Sequence, residues 1–146
     1  MRSGPFWDGV EGRAPVPPAA RTLGFEFRSA DAQAGTIELA FTAKEEFTNP
    51  AGNVLGAFLA AMLYDTVGPA LLATLEPDEF QATLQMNVDF IRPTEPGRIL
   101  ARGRVKHREG DHALLEASLF DADDALLASA TAVARVIVLD AARTAV

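Results

Sequence analysis

The run NPAGNVLGAFLAAMLYDTVGPALLATL, Asn49 to Leu75, limits the fold more than any other part of the chain. It opens on turn formers (Asn49, Pro50, Gly52, Asn53) and continues from Val54 almost without polar side chains. Gly, Ala, Leu and Met dominate, and a run of about 20 such residues is too long for one strand, so helix is favoured. A helix that is apolar on every side is either buried in a core or spans a membrane. Gly68-Pro69 would kink a span, and the central Asp65 would cost roughly 2.5–3.5 kcal/mol in lipid. No second span follows, and most of the later chain alternates as strands do. The stretch is therefore expected to be a central helix wrapped by sheet. It carries one carboxylate where desolvation is expensive.

A chain of 146 residues suits one domain with one core. The absence of cysteine excludes disulfides and thiolate metal sites, and two isolated histidines, His107 and His112, give no basis for a metal or Ser-His-Asp scheme. A formal net charge of −7 argues against nucleic acid as a partner, since such binding needs a basic surface. Met1-Arg2 leads into SGPFWDGVEGRAPVPP, which has no apolar signal core, so a cytoplasmic protein is expected.

Residues 1–20 are rich in proline and glycine, which disfavours regular structure over most of the segment. Phe6, Trp7 and Val10 are the exception: they form either a loosely docked terminus or a short apolar turn that covers a pocket. The domain proper is expected over 21–139, with a mobile tail at 140–146. Alternating Leu23, Phe25 and Phe27, then Ile37, Leu39 and Phe41, predict a hairpin of strands 22–28 and 35–41, with its polar turn between Ser29 and Gly35. After the helix, Leu84, Met86, Val88 and Phe90 alternate with Thr83, Gln85, Asn87 and Asp89. That predicts a half-buried strand with Thr83 on its polar face. Strands follow at 98–108, 113–120 and 126–139. In the last, Ala128, Ala130, Ala132 and Ala134 share a face, and small side chains let a helix sit close, so this strand is placed against the helix. The order β-β-α-β-β-β-β predicts an α+β layer, with one long helix on a curled antiparallel sheet.

Asn49, Gly56-Ala57-Phe58 and Gly68, followed by MNVDFIRP at Met86–Pro93 with Gly97 behind it, resemble the hot-dog fold thioesterases of the phenylacetate-degradation type. The resemblance covers about residues 22–139. It implies a hot-dog fold and an acyl-CoA thioesterase, with coenzyme A as part of the substrate and no separate cofactor or metal. It also implies a homodimer or homotetramer, with the acid reaching in from a partner subunit's helix. The family pattern has an Asn in the loop, then a His or Gln six residues on, two glycines, and an Asp nine residues after the His or Gln. On this chain those positions fall on Asn49, Leu55, Gly56 with Ala57, and Tyr64, while Asp65 stands one step later. Glycines at a helix start let a carbonyl approach backbone N–H groups, where the helix dipole favours an oxyanion.

The resemblance nominates Asp65 as the base, or Tyr64 as an O–H donor at the family's acid position. Asn49, Gly56 and Thr83 are the further catalytic candidates, Thr83 as the holder of the attacking water. Each has a plainer reading: Asp65 a satisfied buried acid, Tyr64 a packing residue, Asn49 the closer of its own turn, and Thr83 an ordinary strand former. Arg92, Arg104, Lys106 and Arg108 are candidates for the phosphates of coenzyme A, and the strand-borne ones equally suit cross-strand pairing with acids such as Glu116. The competing class is a hot-dog protein that binds an acyl-CoA without cleaving it. A hydratase ranks last, because Thr48-Asn49-Pro50-Ala51 lacks the flanking Asp and His of that signature.

Overall fold

A computed structural model describes residues 2–144. Six antiparallel strands form one open sheet: β1 (Glu26–Asp31), β2 (Thr36–Ala43), β3 (Glu79–Phe90), β4 (Gly97–Glu109), β5 (His112–Phe120) and β6 (Leu126–Val138). Their order across the sheet is β1-β2-β4-β5-β6-β3. The long helix α3 (Gly56–Leu72) lies on the inner face, and this is the hot-dog fold. Met62, Leu63, Val67 and Leu71 of α3 are fully buried, each contributing about 1.5–3 kcal/mol of apolar transfer. Ala128, Ala130, Ala132 and Ala134 are buried on the inner face, but the expected placement of β6 against the helix does not hold: α3 makes its close approach over β4 and β5. Gly103 on β4 serves the same close approach. A Cβ there would stand 2.9 Å from Thr66 Cγ2 and 3.1 Å from the Thr66 carbonyl oxygen.

The chain also departs from the sequence expectations in its local backbone. The first strand begins at Glu26 rather than residue 22, because Pro18 opens a short helix, α2 (Pro18–Thr22), that ends at Leu23. Gly24 follows at φ +68°, the left-handed position that ends helices, and the chain becomes extended only after it. The hairpin turn then starts at Asp31, whose Oδ1 accepts from the N–H groups of Gln33 and Ala34. Upstream, Pro5 opens α1 (Pro5–Val10) and Trp7 is buried, so the proline-rich segment is docked and partly helical. Proline fits the first helical position, where its missing N–H costs nothing. The start of the expected tail is also tied to the domain, Leu139 N donating to Asp78 O at 2.8 Å and Ala142 bordering a cavity beside α3, while residues 145–146 lie outside the described residues.

One departure reshapes the site. β3 starts at Glu79, four residues before the expected Thr83, and is bulged. Thr83 pairs with Ala134 but Gln85 pairs with Val133, so Leu84 is an extra residue between them. A bulge reverses the face of everything on one side of it. Thr83 therefore shares the inner face with Met86 and Val88 instead of opposing them, and Leu84 is exposed.

Candidate active site

The third turn of α3 carries Tyr64 and Asp65, with Gly68 and Pro69 one turn further on. They border a cavity of about 710 Å3 between α3, the first half of β3 and the N-terminal segment. The bulge delivers Gln81 and Thr83 to the same cavity. Gly68 is what admits Gln81: a Cβ at Gly68 would stand 3.0 Å from the Gln81 side-chain nitrogen. The Gln81 side-chain oxygen in turn accepts from Thr83 Oγ1 at 3.1 Å. Thr83 thus has its proton committed and its lone pairs left to accept.

Asp65 is the chemically distinct group. Its Oδ2 is buried with no hydrogen-bond partner among the described residues. Burial pushes its carboxyl up from 3.8 to about 6. Pro69 stands four residues on and has no N–H to give the Asp65 carbonyl, so the helix is locally unpaired at this residue. Tyr64 borders the same cavity but stays 48% exposed. Among the described residues, Asp65 and Tyr64 are the only ionisable side chains lining it.

The structure thus brings Asp65, Tyr64 and Thr83 together and leaves Asn49 and Gly56 elsewhere. Asn49 closes its own turn, its Oδ1 accepting from Ala51 N at 3.0 Å and Asn53 N at 3.1 Å. Gly56 is the first residue of α3, nine residues from Asp65, or about 13 Å along a helix. A Cβ on Gly56 would meet the Phe90 ring at 3.1 Å, so this glycine lets the end of β3 cross the helix start.

The basic candidates lie away from the Asp65 cavity. Arg104 pairs with Glu116, and Arg108 with Glu79 at 3.8 Å. Lys106 borders a shallow outer-face depression with Gln85 and Asn87. Arg92 is in the loop after β3, close in sequence to Thr94, whose carbonyl accepts from Val54 N just before α3. A larger hollow, about 750 Å3, opens on the outer face near Arg102 and Arg104. Its arginines are already ion-paired with Glu38, Asp124 and Glu116, and its other acids, Asp31 and Asp89, are exposed. It holds no counterpart to Asp65 Oδ2, which is buried and unpartnered among the described residues. Among the described residues no cluster of His, Cys, Asp and Glu is placed to hold a metal, and no helix is long and apolar enough to cross a membrane.

Gln81 and the N-terminal lining residues were not foreseen from the sequence. Gln81 shares a face with Thr83 by simple alternation, so extending the strand four residues earlier would have found it. Nothing in the residues around Leu84, neither Gly nor Pro, signals the bulge.

The family model for the thioesterase superfamily matches residues 51–128. A phenylacetic acid degradation-related protein of Ralstonia eutropha JMP134 is 37% identical, with a TM-score of 0.86 over 89% of this chain and 98% of that one. The PaaI protein of E. coli, from the phenylacetic acid degradation operon, has a TM-score of 0.79 at 16% identity, covering 90% of this chain and 93% of that one. A thioesterase of Haemophilus influenzae has a TM-score of 0.80 at 17% identity and covers 94% of both chains. The last two likenesses speak for the fold alone. No curated protein matches.

Proposed function

The chain belongs to the thioesterase superfamily, and on that premise we propose that it hydrolyses an acyl-coenzyme A thioester, with Asp65 as general base. The observation that carries this reading is Asp65 Oδ2, buried and without a partner among the described residues, in a largely apolar cavity. A carboxyl with a value of about 6 is mostly ionised at neutral pH, yet a stronger base than an ordinary aspartate. Thr83, its own proton committed to Gln81, accepts one hydrogen of a water while Asp65 accepts the other. The water oxygen attacks the thioester carbonyl carbon as its proton passes to Asp65. The C–S bond then breaks, and the departing thiolate takes the proton from Asp65.

The negative charge that develops on the carbonyl oxygen needs donors, and the free N–H groups at a helix start supply them. Gly56 lies about 13 Å from Asp65 along the same helix, so one chain does not bring the two ends together. A homodimer does, if the start of α3 in one subunit faces Asp65 of the other. The free edge of β3, with Leu84, Phe90 and Ile91 exposed, supports pairing there. Of the four basic candidates, Arg92 is best suited to the coenzyme phosphates. It lies at the helix-start end and has no carboxylate within 4 Å among the described residues, whereas Arg104 and Arg108 are paired.

The reading is tested by thiol release from a panel of acyl-CoAs, with binding measured on the same samples. Asp65→Asn should lower kcat by about 100- to 10,000-fold with binding little changed, and wild-type kcat should fall below a pH of about 6 as Asp65 takes up a proton. Turnover equal in Asp65→Asn and wild type would remove Asp65 from the mechanism. Binding without any turnover would leave a non-catalytic acyl-CoA-binding protein.

A further inference from the structure

The cavity beside Asp65 has one wall that α3 and β3 do not supply. It comes from residues 5–17, outside the stretch that the family model matches. Trp7 anchors this wall. Its ring is 5% exposed and stands edge-on to Phe6 at 5.1 Å and to Phe27 at 5.8 Å, with the Arg2 guanidinium 4.2 Å from its centre. α1 is thereby pinned to β1. Past α1 the chain is exposed, yet Pro15, Val16 and Pro17 border the cavity. Prolines on both sides of Val16 fix their φ angles, so that side chain is held on a stiff backbone. A segment that merely covered the core would bury its apolar side chains in protein, as Trp7 does. Val10 and Val16 instead edge the empty space, and Val16 remains 42% exposed.

The lining also specifies what fits. Among the described residues no Lys or Arg borders the cavity, and its only ionisable groups are Asp65 and Tyr64. Arg13, the nearest cation of the segment in sequence, is engaged by Asp8 at 3.0 Å and Glu11 at 3.4 Å. A charged acyl group would find no counter-ion. The volume of about 710 Å3 lies within the range of small-molecule pockets.

We propose that residues 5–17 form the acyl-selecting wall of the site, and that the acyl group taken is an uncharged apolar one, held between Val10 and Val16 on one side and Leu72 and Phe80 on the other. This rests on the thioesterase reading of the Asp65 cavity. Each further methylene buried against the wall strengthens binding by about fourfold, so kcat/KM rises with acyl length until the space is filled.

The test is an acyl-CoA series from acetyl to decanoyl, with succinyl-CoA as the charged member. The variants are Val16→Trp, which places bulk in the cavity from an exposed loop, and Leu114→Trp on the outer face as control. Val16→Trp should lower the ratio of octanoyl to acetyl kcat/KM by tenfold or more, Leu114→Trp should leave it alone, and succinyl-CoA should be the poorest substrate near its length. A ratio unmoved in Val16→Trp, or a preference for succinyl-CoA, overturns the proposal. If the wild type cleaves no member of the series, calorimetric binding of the same compounds decides. Length dependence lost in Val16→Trp supports the wall while the hydrolase reading falls, and length dependence equal in both proteins overturns the wall.

Discussion

Asp65→Asn should make the protein more stable at neutral and alkaline pH while removing most of its turnover. The carboxyl is raised from 3.8 to about 6 by burial, and no donor among the described residues compensates Oδ2. An acid whose value is raised by folding holds its proton more tightly in the folded state than in the unfolded state. Its contribution to stability is therefore fully present below the unfolded value, is lost as pH rises through about 4 to 6, and stays lost above that. At 1.36 kcal/mol per pH unit, the rise corresponds to about 3 kcal/mol. Asparagine has nearly the same shape and never ionises. The difference in unfolding free energy between variant and wild type should be small near pH 4, grow through pH 6, and level off at up to about 3 kcal/mol by pH 8. The cost of burying the amide subtracts a constant from it. Urea denaturation across that range reads the difference, at fixed protein concentration so that subunit association does not shift the midpoints. A difference independent of pH would refute the argument, because it would mean the folded protein solvates the carboxylate as well as water does.

Three further outcomes follow from the same geometry. Gln81→Leu removes the acceptor that holds the Thr83 hydroxyl, so kcat should fall about two- to tenfold with KM little changed, and Thr83→Val made on top of it should cost little more. Additive losses in that double variant would show that the two side chains act independently. Gly103→Ala puts a methyl 2.9 Å from Thr66 Cγ2 and close to backbone, and should destabilise by about 1–3 kcal/mol, seen as a lower melting temperature in calorimetry. Tyr64→Asp places an acid at the family's usual position, where the native side chain is half exposed; it should not restore turnover to Asp65→Asn, and restoration in a thiol-release assay would make position 64 the reacting site.

The fold was legible because two signals are strong in this chain. An apolar run of helical length allowed only a buried helix, and the alanine row marked the inner face of the last strand, although the helix lies chiefly over β4 and β5 rather than against that strand. Arg104 and Arg108 would share a face of a regular strand, but a bulge at Lys106 of β4 turns Arg108 to the other face, where it reaches Glu79. Local backbone choices were less visible. Leu23, Phe25 and Phe27 alternate like a strand, yet Pro18 and Gly24 bracket a helical turn that takes the first of them. Thr83 borders the Asp65 cavity, but alternation placed it on the wrong face, since it cannot register an extra residue at Leu84. The N-terminal wall was half seen. Phe6, Trp7 and Val10 read as an apolar turn, but only the tertiary packing of Trp7 on Phe27 decides that it docks beside Asp65.

The displacement of the acid by one position from the family's pattern has a local physical context. Neighbouring residues on a helix point about 100° apart, so Asp65 cannot replace an acid at position 64 within an otherwise unchanged site. Three departures from regular structure meet at this residue. Pro69 removes the donor for the Asp65 carbonyl, Gly68 lets Gln81 lie against the helix, and the Leu84 bulge turns Thr83 inward. A regular β3 would put Thr83 and Gln81 together on the outer face, away from Asp65 and Gly68. A larger residue at Gly68 would displace the Gln81 amide in turn. The side chains that accompany Asp65 in the cavity thus depend on one another. The cost falls on stability, through a carboxylate oxygen buried with no partner among the described residues, and that cost is what the pH dependence of Asp65→Asn measures.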